Sequence, residues 1–158
     1  MRITMSVAGN PLKYDTHEQL NFDVENTFKE LGEQPGQLAW WYSLLALKEQ
    51  ELDDFRARME GRIAERELEL RRDTDALTAQ YGKVTEGVIK AVITADPDLG
   101  TLREEYHEIK KQAALLKAMT RGFESRSVLL ATAGSAQKSE IQARLRKLVT
   151  KTDNAEED

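Results

Sequence analysis

The sequence predicts an all-α protein: a long antiparallel helical hairpin of coiled-coil character, with a short N-terminal helix, a short helical reversal and a basic C-terminal helix. Three observations predict it. Apolar residues recur at steps of three and four through two long stretches, 38–70 and 99–130. Charged residues make up 32% of the chain and aromatics only 6%, a balance that suits paired helices better than a thick globular core. Proline is absent between Pro35 and Pro97, so no ring interrupts the first of those stretches.

Residues 1–14 read as an extended or mobile arm, because Val7-Ala8-Gly9-Asn10-Pro11 is a cluster of helix breakers. A single helical domain is expected over 15–150. Asp15-Thr16 supplies a cap, with Gln19 in the capping-box position, and Leu20, Val24, Phe28 and Leu31 follow at helical spacing until Gly32 and Gln34-Pro35-Gly36 end the helix. The first long helix carries Leu38, Trp41/Tyr42, Leu45, Leu52, Phe55, Met59, Ile63 and Leu70 on one face and extends to about Tyr81. Glu67 and Arg71 stand at i,i+4 on its outer face.

Gly82 and Gly87 weaken helix around Lys83-Val84-Thr85, which places a turn there. Val84, Val88, Ile89, Val92 and Ile93 follow; their β-branching leaves a strand open, while their spacing favours a short helix. In Ala95-Asp96-Pro97-Asp98, Asp96 reads as an N-cap, Pro97 as the first helical residue and Asp98 as a favourable charge at the helix dipole. The clearest pattern comes next: Leu99, Leu102, Tyr106, Ile109, Ala113, Leu116, Thr120, Phe123, Ser127 and Leu130 alternate steps of three and four over more than four heptads. Gly134-Ser135 kinks or ends that helix, Ile141, Leu145 and Leu148 mark the basic C-terminal helix, and 151–158 is a disordered acidic tail. Apolar surface near Trp40, Trp41 and Leu129 favours a homo-oligomer.

Several function classes have no residues to support them. The chain has no cysteine, which removes disulfides, thiolate metal sites and cysteine nucleophiles together and suits a reducing cytoplasm. The N-terminus lacks the apolar core of a secretory signal, and no run approaches the roughly 20 apolar residues of a membrane span. A cytoplasmic location in a bacterial host cell is expected. His17 and His107, the only histidines, are far apart and outside any metal-binding spacing, so neither a metal nor another cofactor is expected. Asp53-Asp54 and Glu104-Glu105 are neighbours on helices and point apart, which leaves no acid–base pair and no catalytic residue.

Charge, by contrast, is segregated. Residues 1–102 hold 12 Lys+Arg against 19 Asp+Glu (−7), residues 103–151 hold 11 against 5 (+6), and the tail from Thr152 adds −4. Arg56, Arg58, Arg62, Arg66, Arg71 and Arg72 decorate the first long helix, and Lys110, Lys111, Lys117, Arg121 and Arg126 the second. Arginine forks suit phosphates, yet Glu60, Glu65, Glu67 and Glu69 share the first helix and offer those arginines partners within the chain. Trp40-Trp41-Tyr42 can be read as a base-stacking group or as core; Trp40, which leaves the apolar stripe, is the better stacking candidate.

Lys83-Val84-Thr85-Glu86, Ile89 to Ile93, Ala95-Asp96-Pro97-Asp98, then Tyr106, Leu116 and Arg126, together with Asp15-Thr16 and Trp41-Tyr42-Ser43-Leu44-Leu45, resemble the UvsY-type recombination mediators of phages over roughly residues 15–140. The resemblance implies an oligomer without enzymatic activity that binds single-stranded DNA, remodels single-strand-binding protein and loads a RecA-like recombinase. On this reading Arg62, Arg66, Arg71, Arg72, Lys110, Lys111, Lys117, Arg121 and Arg126 face DNA; the acidic tail departs from the family pattern, and the +6 and −4 segments lead us to expect that it competes for the basic face. A coiled-coil scaffold that binds only proteins is the alternative.

Overall fold

The computed structural model describes residues 2–7 and 9–153, with side chains to residue 147. Of these residues 83% are helical, with two long helices packed against each other, and a short two-stranded sheet accompanies them. The order is β1 (Arg2–Val7), β2 (Asn10–Asp15), α1 (Thr16–Leu20), α2 (Thr27–Arg72), α3 (Thr74–Tyr81), α4 (Glu86–Ala95) and α5 (Pro97–Asp153). Two compact units divide the chain: one holds residues 1–5, 11–43 and 117–158, the other 6–10 and 44–116.

The sheet departs from an all-α chain. Ile3, Met5 and Val7 are buried in strict alternation with exposed Arg2, Thr4 and Ser6, as a strand with one covered face requires. Gly9, at φ 78°, lets the chain reverse into β2, so the breaker cluster makes a hairpin connection.

In the first unit the expected helix over Thr16–Leu31 is broken. α1 ends at Leu20, the Asp23 carboxylate accepts from the Glu25 backbone N–H at 2.9 Å, and α2 starts at Thr27. Val24 and Phe28 therefore stand 65% and 55% exposed instead of joining the apolar stripe. The expected stop at Pro35-Gly36 also fails, because α2 continues through it. Tertiary contacts offset the local cost: Gln34 donates to the Phe123 carbonyl and the Ser127 hydroxyl of α5, each at 2.9 Å. Leu31 also packs so closely on Gly134 that a methyl there would lie 2.7 Å from it. That contact explains why Gly134 does not end α5, which runs on to Asp153 and leaves no separate C-terminal helix. The acidic tail lies outside the described residues past Asp153.

In the second unit α2 closes at Arg72, short of Tyr81, and α3 follows after Asp73. Gly82, at φ 78°, ends α3, and the β-branched stretch is helical from Glu86 on as α4, capped by the Thr85 hydroxyl, with Val84 ahead of the helix. Asp96 accepts from the backbone N–H groups of Asp98 (3.0 Å) and Leu99 (3.2 Å), which starts α5 as its sequence predicts. Leu70, Leu77, Ile89, Ile93 and Leu99 form one buried cluster, edged by Ile63, Val84, Val92 and Leu102. Apart from that cluster, Lys48 is buried in the same unit, its ammonium donating to the Ser6 carbonyl at 2.8 Å and pairing with Glu51 at 3.0 Å.

Candidate nucleic-acid interface

The heptad stripe fixes which way the α5 cations point. Leu99, Ala113, Leu116, Thr120, Phe123 and Leu130 are buried, and Leu102, Tyr106, Ile109 and Ser127 half-buried. Lys110, Lys111, Lys117 and Arg121 lie off that stripe and face solvent. From Ile109 to Phe123 the helix contains no acidic residue.

In the first unit, Lys117 and Arg121 stand one helical turn apart, exposed, and neither has an ion pair among the described residues. Arg126, the third cation assigned there, belongs elsewhere. Its side chain is 4% exposed, and the guanidinium is shared among Gln34, Glu30 and Gln37 on α2 and the Asn21 carbonyl, with the rings of Phe22 and Phe123 about it. Every direction in which it could reach a phosphate is occupied by protein, so Arg126 leaves the set of DNA-facing residues.

The cations of the second unit divide in two. Those of α2 are mostly consumed by carboxylates: Arg62 pairs with Glu65 at 2.6 Å, and Arg66 with Glu69 (2.9 Å) and Asp96 (3.0 Å). Arg71 pairs with Glu67 at 2.7 Å and with Glu86 at 2.8 Å. These bonds, to Glu69 for Arg66 and to Glu67 for Arg71 before the others, hold both guanidinium groups more firmly protonated than usual. Arg72 is exposed and has no ion pair among the described residues. On α5, Lys110 lies 6.0 Å from the Tyr106 ring centroid, and Lys111 reaches Glu108 at 3.5 Å.

Aromatic residues organise the other end of the first unit. Trp41 is 1% exposed, between Tyr14 (4.7 Å between ring centroids), Trp40 (4.9 Å) and Phe123 (5.4 Å). Trp40 packs edge-on to both Tyr14 and Trp41 and remains 44% exposed, which fits its place off the stripe. Tyr42, expected on the stripe, is 45% exposed and donates its hydroxyl hydrogen to Glu124. A groove of about 370 Å³ beside the tryptophans is lined by Gln19, Gly36, Gln37, Trp40 and Trp41. The glutamines and Gly36 carry no motif that draws attention in the sequence; the available signal was the uncharged run from Pro35 to Leu47 in a chain one-third charged.

His107 is exposed, with its ring 5.8 Å from that of Tyr106, and no group of three or more His, Cys, Asp or Glu suited to a metal occurs among the described residues. No helix of the described residues is long and apolar enough to cross a membrane. No family model, no curated protein and no solved structure matches the chain.

Proposed function

We propose that the chain is a non-enzymatic, single-strand DNA-binding protein of the UvsY-like recombination-mediator kind. It acts as a homo-oligomer that replaces single-strand-binding protein with a RecA-like recombinase. The observation that carries this reading is the acid-free stretch of α5, where Lys110 and Lys111 of the second unit and Lys117 and Arg121 of the first are all exposed while Ala113, Leu116, Met119 and Thr120 are buried. Lys110, Lys117 and Arg121 have no ion pair among the described residues and Lys111 only an exposed one to Glu108 at 3.5 Å, which favours a polyanion bound through counterion release over a salt-bridged surface. Arg62, Arg66 and Arg71 contribute less, since a phosphate would have to displace their carboxylates.

One observation favours the scaffold as a second reading. Val128, Leu129, Ile141 and Leu145 of α5 are 67%, 57%, 46% and 56% exposed, apolar area that a partner helix would cover. Titration of a labelled single strand at low salt separates the two. A mediator binds it saturably and more tightly than duplex of the same length; a scaffold forms a defined oligomer in solution and leaves the strand free.

A further inference from the structure

The groove beside the tryptophans is a binding site of a different kind from the cationic face. Its floor is the face of α2 made by Gly36, Gln37, Trp40 and Trp41, residues at i, i+1, i+4 and i+5, and Gln19 of α1 forms the opposite side. Gly36 sits in a helix interior, where glycine costs about 1 kcal/mol relative to alanine, and packing does not demand it: a methyl there would meet nothing within 4 Å. What its missing side chain provides is open space one turn before Trp40. Helix-breaking Pro35 stands next to it, a second local conflict in the same turn, and such conflicts concentrate at functional sites.

The chemistry of the lining selects the occupant. Trp40 offers a partly exposed ring already held edge-on by Trp41 and Tyr14, so stacking on it costs little further ordering. Gln19 supplies an amide group that can donate and accept, and Gln37, whose Oε1 already accepts from Arg126, supplies an amide N–H donor. No cation lines the groove, so it offers nothing to a phosphate directly. At about 370 Å³ it lies at the small end of ligand pockets, sized for one ring system and not for a helix. The α5 backbone at Gly122 touches Leu20, with 2.9 Å between a hypothetical methyl and the leucine side chain. Leu20 follows the lining residue Gln19 in sequence, and Arg121, exposed and without an ion pair among the described residues, precedes Gly122. An aromatic platform with amide edges complements a base, and an exposed guanidinium one residue from the Leu20 contact complements its phosphate.

We propose that Gln19, Gly36, Gln37, Trp40 and Trp41 form a pocket for one nucleobase of a bound single strand, with Arg121 holding the neighbouring phosphate. This rests on the single-strand reading above and adds to it a contact with bases. The test compares an ordinary oligonucleotide with an abasic strand of the same length, using the full chain, Gly36→Leu, Trp40→Ala and Trp40→Phe. Gly36→Leu favours helix and leaves every ring and cation in place while filling the groove, so it reports occupancy independently of folding.

The expected result is that the ordinary strand binds about tenfold more tightly than the abasic one and quenches tryptophan fluorescence. Gly36→Leu and Trp40→Ala should remove that difference without weakening the abasic complex, and Trp40→Phe should retain most of it. Equal affinity for the two strands, or a difference that survives Gly36→Leu, overturns the base pocket and leaves phosphate binding standing. Failure of both strands to bind overturns the proposed function, and the pocket with it.

Discussion

Two arginines five positions apart on α5 have opposite fates, and the heptad phase decides which. Arg121 falls off the stripe and is exposed; Arg126 falls beside Phe123 and Ser127 and is drawn into the interface with α2. Replacing Arg126 with Met removes one partner of a buried pair and leaves Gln34 and the half-buried Glu30 uncompensated, a loss of about 3 kcal/mol in urea denaturation. Arg121→Ala, at an exposed site, should stay within about 0.5 kcal/mol of the parent and weaken strand binding instead. The sequence shows that both are cations near an apolar stripe, but not that Gln34, 92 residues away, turns one inward. Asp96 was legible because its cap involves only the next three residues. The Leu99 backbone N–H, ahead of the Asp98 N–H and Arg66, holds its carboxyl below the usual carboxylate range. The resulting stability is present above the unfolded value near 3.9 and is lost as pH falls through the lower folded value. Asp96→Asn should therefore flatten the acid limb of a stability-against-pH curve and change its slope little at neutral pH.

At the scale of elements, what periodicity could show, it showed. The stripe from Leu99 to Leu130, the Gly82 turn and the Asp96-Pro97 restart all rest on local spacing or on a single residue's backbone preference. Three features depend on contacts distant in sequence. Pro35-Gly36 and Gly134 read as stops, yet α2 and α5 pass through them because Gln34 and Leu31 grip the opposite helix. The strand β1 was visible as the alternation Ile3-Thr4-Met5-Ser6-Val7, but the breakers after it suggested mobility where they form a turn. If packing alone carries α2 through Pro35, Pro35→Ala restores an N–H for the preceding turn and should raise stability by about 2 kcal/mol, read as a higher melting temperature. An unchanged melting temperature would mean that the helix bears no cost there.

Across the molecule, charge and function are linked through where the carboxylates lie. Within residues 1–102, Glu60, Glu65, Glu67, Glu69, Glu86 and Asp96 pair with Arg56, Arg62, Arg66 and Arg71 of α2, and a net −7 remains over the segment. The +6 of residues 103–151 has fewer acids to meet it, and the −4 beyond Lys151 is the nearest reservoir in sequence. Deleting residues 152–158 should accordingly tighten strand binding at low salt, and an unchanged affinity would rule out competition by the tail. Composition had pointed to cations on both long helices; side-chain pairing separates them, and for Arg66 the i,i+3 spacing to Glu69 was legible within α2 whereas its second partner Asp96, 30 residues on, was not.

The salt dependence of single-strand binding tests the division between these two sets of cations directly. Affinity measured from 50 to 200 mM salt should fall steeply for the parent chain. Lys117→Ala/Arg121→Ala should lower the slope of log affinity against log salt by about 1.4, at roughly 0.7 per phosphate contact, and Arg62→Ala/Arg71→Ala should leave it nearly unchanged. Equal slopes for all three proteins, or no saturable binding at the lowest salt, would contradict an α5 face that holds DNA.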